Sequence, residues 1–169
     1  AIQLLAGVSN VQESITGIYI RGGNVDQTYI LYDEAPIYSS MHFLGLFSTF
    51  DPNAISSISI YKSSIPAKFG GRGSSILEAR LKEGDFKKHH QTFELGLIQS
   101  KIVLEGPLIK NKVSYFTSGR FAYPLVLVTQ NENGYKGLTN YFYDYNIKVK
   151  ANINKKHSLY FSTFFSKDN

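Results

Sequence analysis

The C-terminal third of the chain alternates between apolar and polar residues with a period of two. From residue 141 to residue 151 the odd positions are aromatic or aliphatic, whereas most even positions are Asp, Asn or Lys. Successive side chains of a β-strand point to opposite faces, so this pattern predicts a strand with one apolar and one polar face. The alternation resumes after Asn-Lys-Lys at residues 154–156. The two runs therefore predict a tight antiparallel hairpin.

Three further strands are predicted upstream of this hairpin. They occupy residues 91–97, 101–105 and 113–123, and the last two flank a polar turn at residues 106–112. The pattern thus predicts about five antiparallel strands, with one long connection at residues 124–140. Short turns at one end of a sheet and longer loops at the other are typical of transmembrane β-barrels.

Aromatic residues collect beside the long connection, where the interface girdle of a membrane barrel would lie. They are Tyr135, Tyr141, Phe142 and Tyr143. A soluble antiparallel sheet that packs on its apolar face would give the same alternation of residues. The periodicity alone divides these two interpretations about evenly.

The first half of the chain follows a different pattern, with short apolar runs between Gly, Ser and Asn turns. Strands are predicted at residues 18–21, 28–32, 58–62 and 75–81. Residues 51–55, Asp-Pro-Asn-Ala-Ile, combine a helix-capping Asp with a Pro at the first helical position, so they predict a single helical turn. This half is predicted to be a small α+β unit.

Composition narrows the chemistry that the chain can perform. The 169 residues contain no Cys, which excludes disulfides, thiolate zinc sites and a cysteine nucleophile. The net charge of +5 belongs to the second half, where 13 Lys and Arg residues face 7 Asp and Glu. These cations occupy turns or alternate with apolar residues instead of forming a basic patch, so we do not expect nucleic-acid binding. No apolar run is long enough for a membrane-spanning helix.

Four ordered segments of the first half resemble the plug domain of TonB-dependent receptors. Residues 18–22 (Ile-Tyr-Ile-Arg-Gly) are similar to its Ile-Arg-Gly motif, and residues 29–36 (Tyr-Ile-Leu-Tyr-Asp-Glu-Ala-Pro) to the strand that follows. Residues 50–62 resemble the next element of that domain, and residues 66–83 its closing segment. In the second half, three segments resemble early barrel strands of Bacteroidota-type receptors. They are residues 104–108, 118–123 and 141–145.

The resemblance implies an outer-membrane protein with two parts. We expect the C-terminal part of a plug domain at residues 1–86 and the first strands of an incomplete antiparallel barrel at residues 87–169. Such transporters close about 22 strands around the plug. We therefore expect the chain to be an internal part of a longer protein.

The family also implies partners and a function. These would be outer-membrane lipid and the TonB–ExbB–ExbD complex, which pulls an N-terminal plug segment that this sequence lacks. No enzymatic activity, cofactor or metal is expected. Residues 63–66 lack the pattern of starch-utilisation transporters, which favours uptake of a siderophore or metal chelate. The alternatives are a glycan or peptide importer that works with a surface lipoprotein, and an interaction module without transport.

Site residues follow from the same resemblance. The apex of the plug would include residues 37–47, where aromatic, hydroxyl and imidazole groups suit a chelate or planar ligand. The candidate contacts are Tyr38, Ser39, His42 and Phe43. Packing of the plug against the barrel wall is the alternative role for them.

A second set is predicted to hold the plug in the barrel by ion pairs, with solvated surface arginines as the alternative. It comprises Arg21, Arg72 and Arg80 with Glu94, Glu105 and Asp144.

Three other polar clusters are given no chemical role. His89 and His90 lie in a Lys-rich segment without a third ligand nearby, so a linker is favoured over a metal site. Asp33 and Glu34 are neighbours whose side chains would point to opposite faces of a strand, which is unsuitable for a catalytic pair. The Gly-rich segment at residues 70–73 lacks the Lys-Ser/Thr ending of a phosphate-binding loop.

Overall fold

The computed structural model describes residues 8–9, 19–20, 28–61, 69, 75–123 and 141–169. The chain divides into two compact units, residues 1–81 and 82–169. The sequence-based assignment of residues 1–86 to a plug domain stays a prediction, because compactness does not define the identity of a domain. Within the described residues, no helix is long and apolar enough to cross a membrane.

Unit 1 is built around a four-stranded sheet with the order β4-β3-β8-β7. Its strands are β3 (Thr28–Tyr32), β4 (Ala35–Ile37), β7 (Ile55–Tyr61) and β8 (Ser75–Leu81). β3 is parallel to β8, and the other two pairings are antiparallel. Two short antiparallel pairs complete the described part of the unit: β1 (Val8–Ser9) with β2 (Tyr19–Ile20), and β5 (Met41–His42) with β6 (Phe47–Ser48).

The core of unit 1 lies along the central strand β8. Ile76, Leu77, Ala79 and Leu81 are all at most 2% exposed. Both faces of this strand are buried, as expected where a sheet is covered on both sides. The ring of Tyr32 stacks on that of Phe50, with 6.0 Å between centroids.

The turn between β3 and β4 contains two successive residues with positive φ. Asp33 and Glu34 have φ of 51° and 72°, a left-handed conformation that usually favours Gly or Asn. The backbone N–H of Asp33 donates to the carbonyl oxygen of Ala79 at 2.7 Å, which ties the turn to β8.

The α component of the predicted α+β fold is nearly absent from the described residues. Their only helical element is the 3-10 helix Phe43–Gly45. Residues 51–55 form a hydrogen-bonded turn, in which the N–H groups of Ala54 and Ile55 donate to the carbonyl oxygen of Asp51. The Asp51 carboxylate accepts from the N–H of Asn53 at 3.1 Å. The predicted cap is therefore present, but β7 begins at Ile55 and leaves no room for a helix.

Unit 2 contains five antiparallel strands in the order β13-β12-β11-β10-β9, which matches the predicted number. They are β9 (His90–Leu95), β10 (Gln99–Ile109), β11 (Val113–Ala122), β12 (Phe142–Asn152) and β13 (Ser158–Asp168). The sheet is open, with β9 and β13 at its edges. β10 continues past the predicted turn at residue 106, because a bulge next to Pro107 accommodates a residue that lacks a backbone donor.

The two faces of this sheet are buried in the opposite sense to a soluble sheet. Arg120, Asp144, Asn146 and Lys148 on the polar face are at most 7% exposed. On the apolar face, large side chains are left open. Those at least 37% exposed include Phe93, Ile102, Phe121, Tyr145, Leu159, Phe161 and Phe165. Within the described residues, the apolar face of this sheet is therefore the more exposed one.

One aromatic residue of the predicted girdle lies on the other face. Phe142 is fully buried, and the guanidinium carbon of Arg120 lies 4.9 Å from the centroid of its ring. Its position follows from the alternation, since residue 142 shares the even-numbered face with Asp144. Tyr141 instead lies 5.7 Å from Phe121, measured between ring centroids. Tyr135 falls outside the described residues.

Candidate functional site

The predicted apex residues lie on and beside the hairpin of β5 and β6. The backbone N–H of Thr49 donates to the carbonyl oxygen of Ser40 at 2.9 Å and closes the base of this hairpin. Phe43 has φ of 48°, which is unusual for a bulky residue. Its ring contacts that of Phe47 edge-on, with centroids 6.1 Å apart. The hairpin is thus held by local contacts of its own.

The four candidate ligand contacts are not equally accessible. Tyr38 is 91% exposed, and Ser39 is exposed as well. The Ser39 hydroxyl donates to the carbonyl oxygen of Met41 at 2.8 Å, so it also shapes the turn. His42 is only 4% exposed and Phe43 is half-buried. Tyr38 and Ser39 are therefore available at the surface, whereas the imidazole of His42 lies inside the unit.

Leu46 is an additional surface residue of this hairpin that the sequence reasoning missed. It is 61% exposed, and its backbone N–H donates to the carbonyl oxygen of Phe43 at 3.1 Å. An exposed Leu on a loop is a weak signal by itself. Together, Tyr38 and Leu46 offer a phenol ring and an aliphatic group, which can bind a planar or aromatic ligand by stacking and apolar contact.

Arg80, a predicted plug–barrel ion-pairing residue, binds two carboxylates of unit 1. Its guanidinium lies 2.6 Å from a carboxylate oxygen of Glu78 and 3.1 Å from one of Glu34. Burial by itself lowers the pKa of Arg80, but the charges and hydrogen bonds of Glu78 and Glu34 more than offset this and raise the pKa. Glu78 is buried and also accepts a hydrogen bond from the Tyr61 hydroxyl at 3.4 Å.

Asp144 forms a buried ion pair with Arg120 on the polar face of unit 2. The Nε group of Arg120 donates to Asp144 Oδ2 at 2.8 Å, and a second guanidinium nitrogen binds the same oxygen. The two side chains are 6% and 3% exposed. Such a pair is retained only with good geometry, because both charges have lost their contact with water.

This pair belongs to a row of polar residues that crosses all five strands. The strand register aligns Glu94, Lys101, Arg120, Asp144 and Ser166 in succession. Glu94 is thus opposite Lys101, and Glu105 lies between His90 and Phe116 in a second row. Arg21 and Arg72 lie outside the described residues. Ion pairing between the two units stays a prediction.

The connector, residues 82–89, is fixed to the end of the sheet that carries the short turns. The Ser114 hydroxyl donates to the carbonyl oxygen of Glu83 at 2.7 Å, and the Lys150 ammonium lies 2.6 Å from the Glu83 carboxylate. The backbone N–H of Asn111 donates to the carbonyl oxygen of Phe86 at 3.0 Å. Gly84 has φ of 77°, and a Cβ there would lie 2.1 Å from the Tyr115 carbonyl oxygen. A residue with a side chain would not fit there.

The two histidines help to hold this connector. The His90 imidazole lies 2.9 Å from a carboxylate oxygen of Asp85, and the His89 ring lies 6.0 Å from that of Tyr115 between centroids. The hydrogen bond with His90 lowers the pKa of Asp85 to about 2, helped by the backbone N–H groups of Lys87 and Lys88. In the part of the chain that the structure describes, no three His, Cys, Asp or Glu residues are grouped as a metal site.

Comparison with known proteins identifies the family. Residues 1–75 match the model of the TonB-dependent receptor plug domain. No curated protein sequence matches the chain. Among solved structures, the siderophore receptor PirA from Acinetobacter baumannii is similar over 99% of this chain, with 20% identity and a TM-score of 0.61. A mutant of the ferric enterobactin receptor PfeA from Pseudomonas aeruginosa, in complex with enterobactin, is similar over 99%, with 18% identity and a TM-score of 0.60.

At this level of identity the likeness to solved structures shows the fold alone. The chain spans 28% of the length of PirA and 30% of that of PfeA. The fold and the family model agree with the order of motifs in the sequence, and this family resides in the bacterial outer membrane. The family assignment thus rests on the plug domain of TonB-dependent receptors, whose model residues 1–75 of the 169 match.

Proposed function

We propose that this protein takes part in energised uptake of a siderophore or metal chelate across the outer membrane. The observation that carries this proposal is the family match of residues 1–75 followed by a sheet with a buried polar face. A sheet of this polarity suits a barrel wall that is solvated by lipid on its outer side. The likeness to two siderophore receptors favours a chelate as the ligand.

The apex hairpin is the proposed ligand-binding element of this chain. Tyr38 and Leu46 extend into solvent, where an aromatic chelate can stack on the ring and contact the aliphatic side chain. Ser39 supplies a hydroxyl at the same turn. His42 is buried and Phe43 is half-buried, so these two residues support the hairpin by packing. The ligand is thus recognised mainly by ring stacking and apolar contact.

Energy would come from the TonB–ExbB–ExbD complex acting on the plug. We propose that residues 1–86 belong to the plug and that its arginines, including Arg80, form reversible ion pairs with barrel carboxylates. The complete barrel wall would contain about 22 strands, of which these five are a part. The described five would then provide one edge of the lipid-facing surface.

Uptake of iron-55 enterobactin by iron-starved cells that lack other receptors tests the proposal. Cells that express the protein should accumulate label only when the energy-coupling complex is intact. Absence of label, with the protein folded in the outer membrane, would overturn chelate uptake. Co-purification of a surface lipoprotein together with glycan or peptide uptake would favour the alternative importer.

The variants Tyr38→Ala and Tyr38→Phe test the role of the apex. Loss of a central aromatic contact weakens binding by about tenfold, whereas the Phe variant keeps the ring and should bind nearly as well as the wild type. Titration of the purified protein with ferric enterobactin measures both. Equal affinity for the wild type and the Ala variant would remove Tyr38 from the site without affecting the transport proposal.

A further inference from the structure

The connector is attached to unit 2 at several separate points within a short stretch of chain. The carbonyl oxygen of Glu83 accepts a hydrogen bond from the Ser114 hydroxyl, and its carboxylate pairs with the Lys150 ammonium. The carbonyl oxygen of Phe86 accepts a hydrogen bond from the backbone N–H of Asn111. These partners lie on β11, on β12 and in the turn before β11. The connector is therefore fastened to three segments of the sheet.

Close packing adds to these polar contacts. A Cβ at Gly84 would lie 2.1 Å from the Tyr115 carbonyl oxygen, and one at Gly106 on β10 would lie 2.3 Å from Nδ1 of His89. The His89 ring lies 6.0 Å from the Tyr115 ring, measured between centroids. One glycine on the connector and one on the sheet thus allow an approach that side chains would prevent.

The strand that follows the connector has little packing of its own. All residues of β9 are exposed, and it lies at the edge of the sheet. Its attachment is the pairing with β10, from Glu105 opposite His90 to Ser100 opposite Leu95. A force on the chain that reached β9 would act directly on this ladder of hydrogen bonds. The contacts of the connector stand between that strand and unit 1.

We propose that the connector is a mechanical stop, a segment that halts extension of the chain under force. This inference rests on the proposed function, in which the energy-coupling complex pulls on the N-terminal part of the plug. The force passes along the chain to residue 82, where unit 2 begins. The contacts of the connector oppose it there. Unit 1 can then be extended while β9 keeps its register in the sheet.

Single-molecule pulling tests the stop. The protein in a lipid bilayer is attached to an optical trap through Ala1→Cys, and the chain has no native Cys that would compete. In the wild type, unit 1 should extend first. Release of residues 83–89 should follow as a separate step of about 25 Å, at about 3.5 Å per residue.

Gly84→Ala should weaken the stop without involving the ligand. Strain at a positive φ and contact with the Tyr115 carbonyl oxygen should shorten the lifetime of the connector at constant force by about tenfold or more. Gly119→Ala is the matched control, because its Cβ would approach Ile102 and Tyr145 and no connector residue. It should leave the lifetime unchanged.

A second variant protects the test against misfolding. Ser114→Ala removes only the hydroxyl that donates to Glu83, and it should shorten the lifetime by roughly fivefold. Extension of unit 1 and release of the connector in a single step in the wild type would overturn the proposal. Equal lifetimes for the wild type, Gly84→Ala and Ser114→Ala would overturn it as well.

A covalent lock separates this inference from the transport proposal. Glu83→Cys and Lys150→Cys are joined by a short bismaleimide, in which each thiol adds across one maleimide double bond. Uptake of iron-55 enterobactin should equal that of the unlinked double variant, since a stop does not leave the sheet. Uptake that disappears on cross-linking would show that the connector detaches, which overturns the stop and leaves transport intact. Absence of uptake in both forms would contradict transport, and the pulling experiment would still decide on the stop.

Discussion

The two larger sheets of the described residues bury different kinds of side chain. In unit 1 the central strand β8 is buried on both faces, and its side chains are mostly aliphatic. In unit 2 the strands β11 and β12 bury Ser, Arg, Asp, Asn and Lys side chains together with Phe116, Ala122 and Phe142, whereas Phe121 and Tyr145 are exposed. The first arrangement is stabilised by removing apolar groups from water. The second suits a surrounding medium that is itself apolar.

The free-energy contribution of a buried side chain depends on the medium that surrounds the protein. A buried Leu in unit 1 contributes by its transfer out of water, whereas the large apolar side chains of unit 2 stay exposed in the folded structure. Specificity in unit 2 must then depend on paired polar groups such as Arg120 and Asp144. Substitutions that remove one kind of contact at a time test this difference between the two units.

The largest effect is expected for Arg120→Ala. Removing Arg120 takes an ion-pair partner away from the buried Asp144 carboxylate, which costs about 3–5 kcal/mol. Urea unfolding of the protein in detergent micelles, followed by gel mobility, measures the loss. Lys150→Ala is the control, because its pair with the 48%-exposed carboxylate of Glu83 is worth about 1 kcal/mol at most. Equal losses for both variants would show that burial of the pair is unimportant.

The double variant Arg120→Met with Asp144→Leu distinguishes the loss of the ion pair from the cost of leaving a single member of it buried. Replacing both members by apolar side chains removes both charges of the pair, so the double variant should be more stable than Arg120→Ala. If the double variant were less stable than Arg120→Ala, the charged side chains on the polar face would be needed for stability. The same micelle experiment serves for this comparison.

Leu77→Ala should have the next largest effect, and it addresses unit 1. Leu77 is fully buried, and truncation of such a residue costs about 2–5 kcal/mol. Phe161→Ala is the matched truncation in unit 2, at a side chain that is 66% exposed on the apolar face. Its cost should stay below about 1 kcal/mol in micelles. Hydrogen exchange of peptides from β8 and β13 reports the two sites separately.

Gly84→Ala should follow, because it forces a Cβ into the anchored connector. The positive φ alone adds strain of about 1–3 kcal/mol, and contact with the Tyr115 carbonyl oxygen adds to it. Faster hydrogen exchange at the Asn111 N–H, which donates to Phe86, would report release of the connector. Gly119→Ala is the control, since its Cβ would only approach the Ile102 side chain at 3.2 Å.

Sequence reasoning was most successful where the signal is local. The period of two predicted five antiparallel strands, and the strand at Ser75–Leu81 has the predicted bounds. The pattern could not indicate which face is buried, because the same alternation serves a soluble sheet and a barrel wall. Pro107 illustrates a second limit. It suggested a turn, whereas a bulge allows β10 to continue to Ile109.

The candidate site was harder to predict because exposure depends on tertiary contacts. His42 was selected for its imidazole, but the pairing of β5 with β6 buries it, while Leu46 in the adjoining turn is exposed. The Arg120 partner of Asp144 was also missed. A signal for it existed in the strand pattern, since both residues lie on even-numbered positions of neighbouring strands. Their alignment needs the strand register across the connection at residues 124–140, which no local pattern gives.

The smallest effect is expected from Asp85, which anchors the connector at the surface. Its pKa in the folded protein is about 2, below its ordinary value of 3.8. A depressed pKa means that ionised Asp85 favours the folded state above about pH 4, and that this contribution disappears as the pH falls towards 2. Asp85→Asn should therefore lower the urea midpoint slightly near pH 5, and the difference from the wild type should vanish near pH 2. A difference independent of pH would show that the hydrogen bond with His90 does not depend on the charge of Asp85.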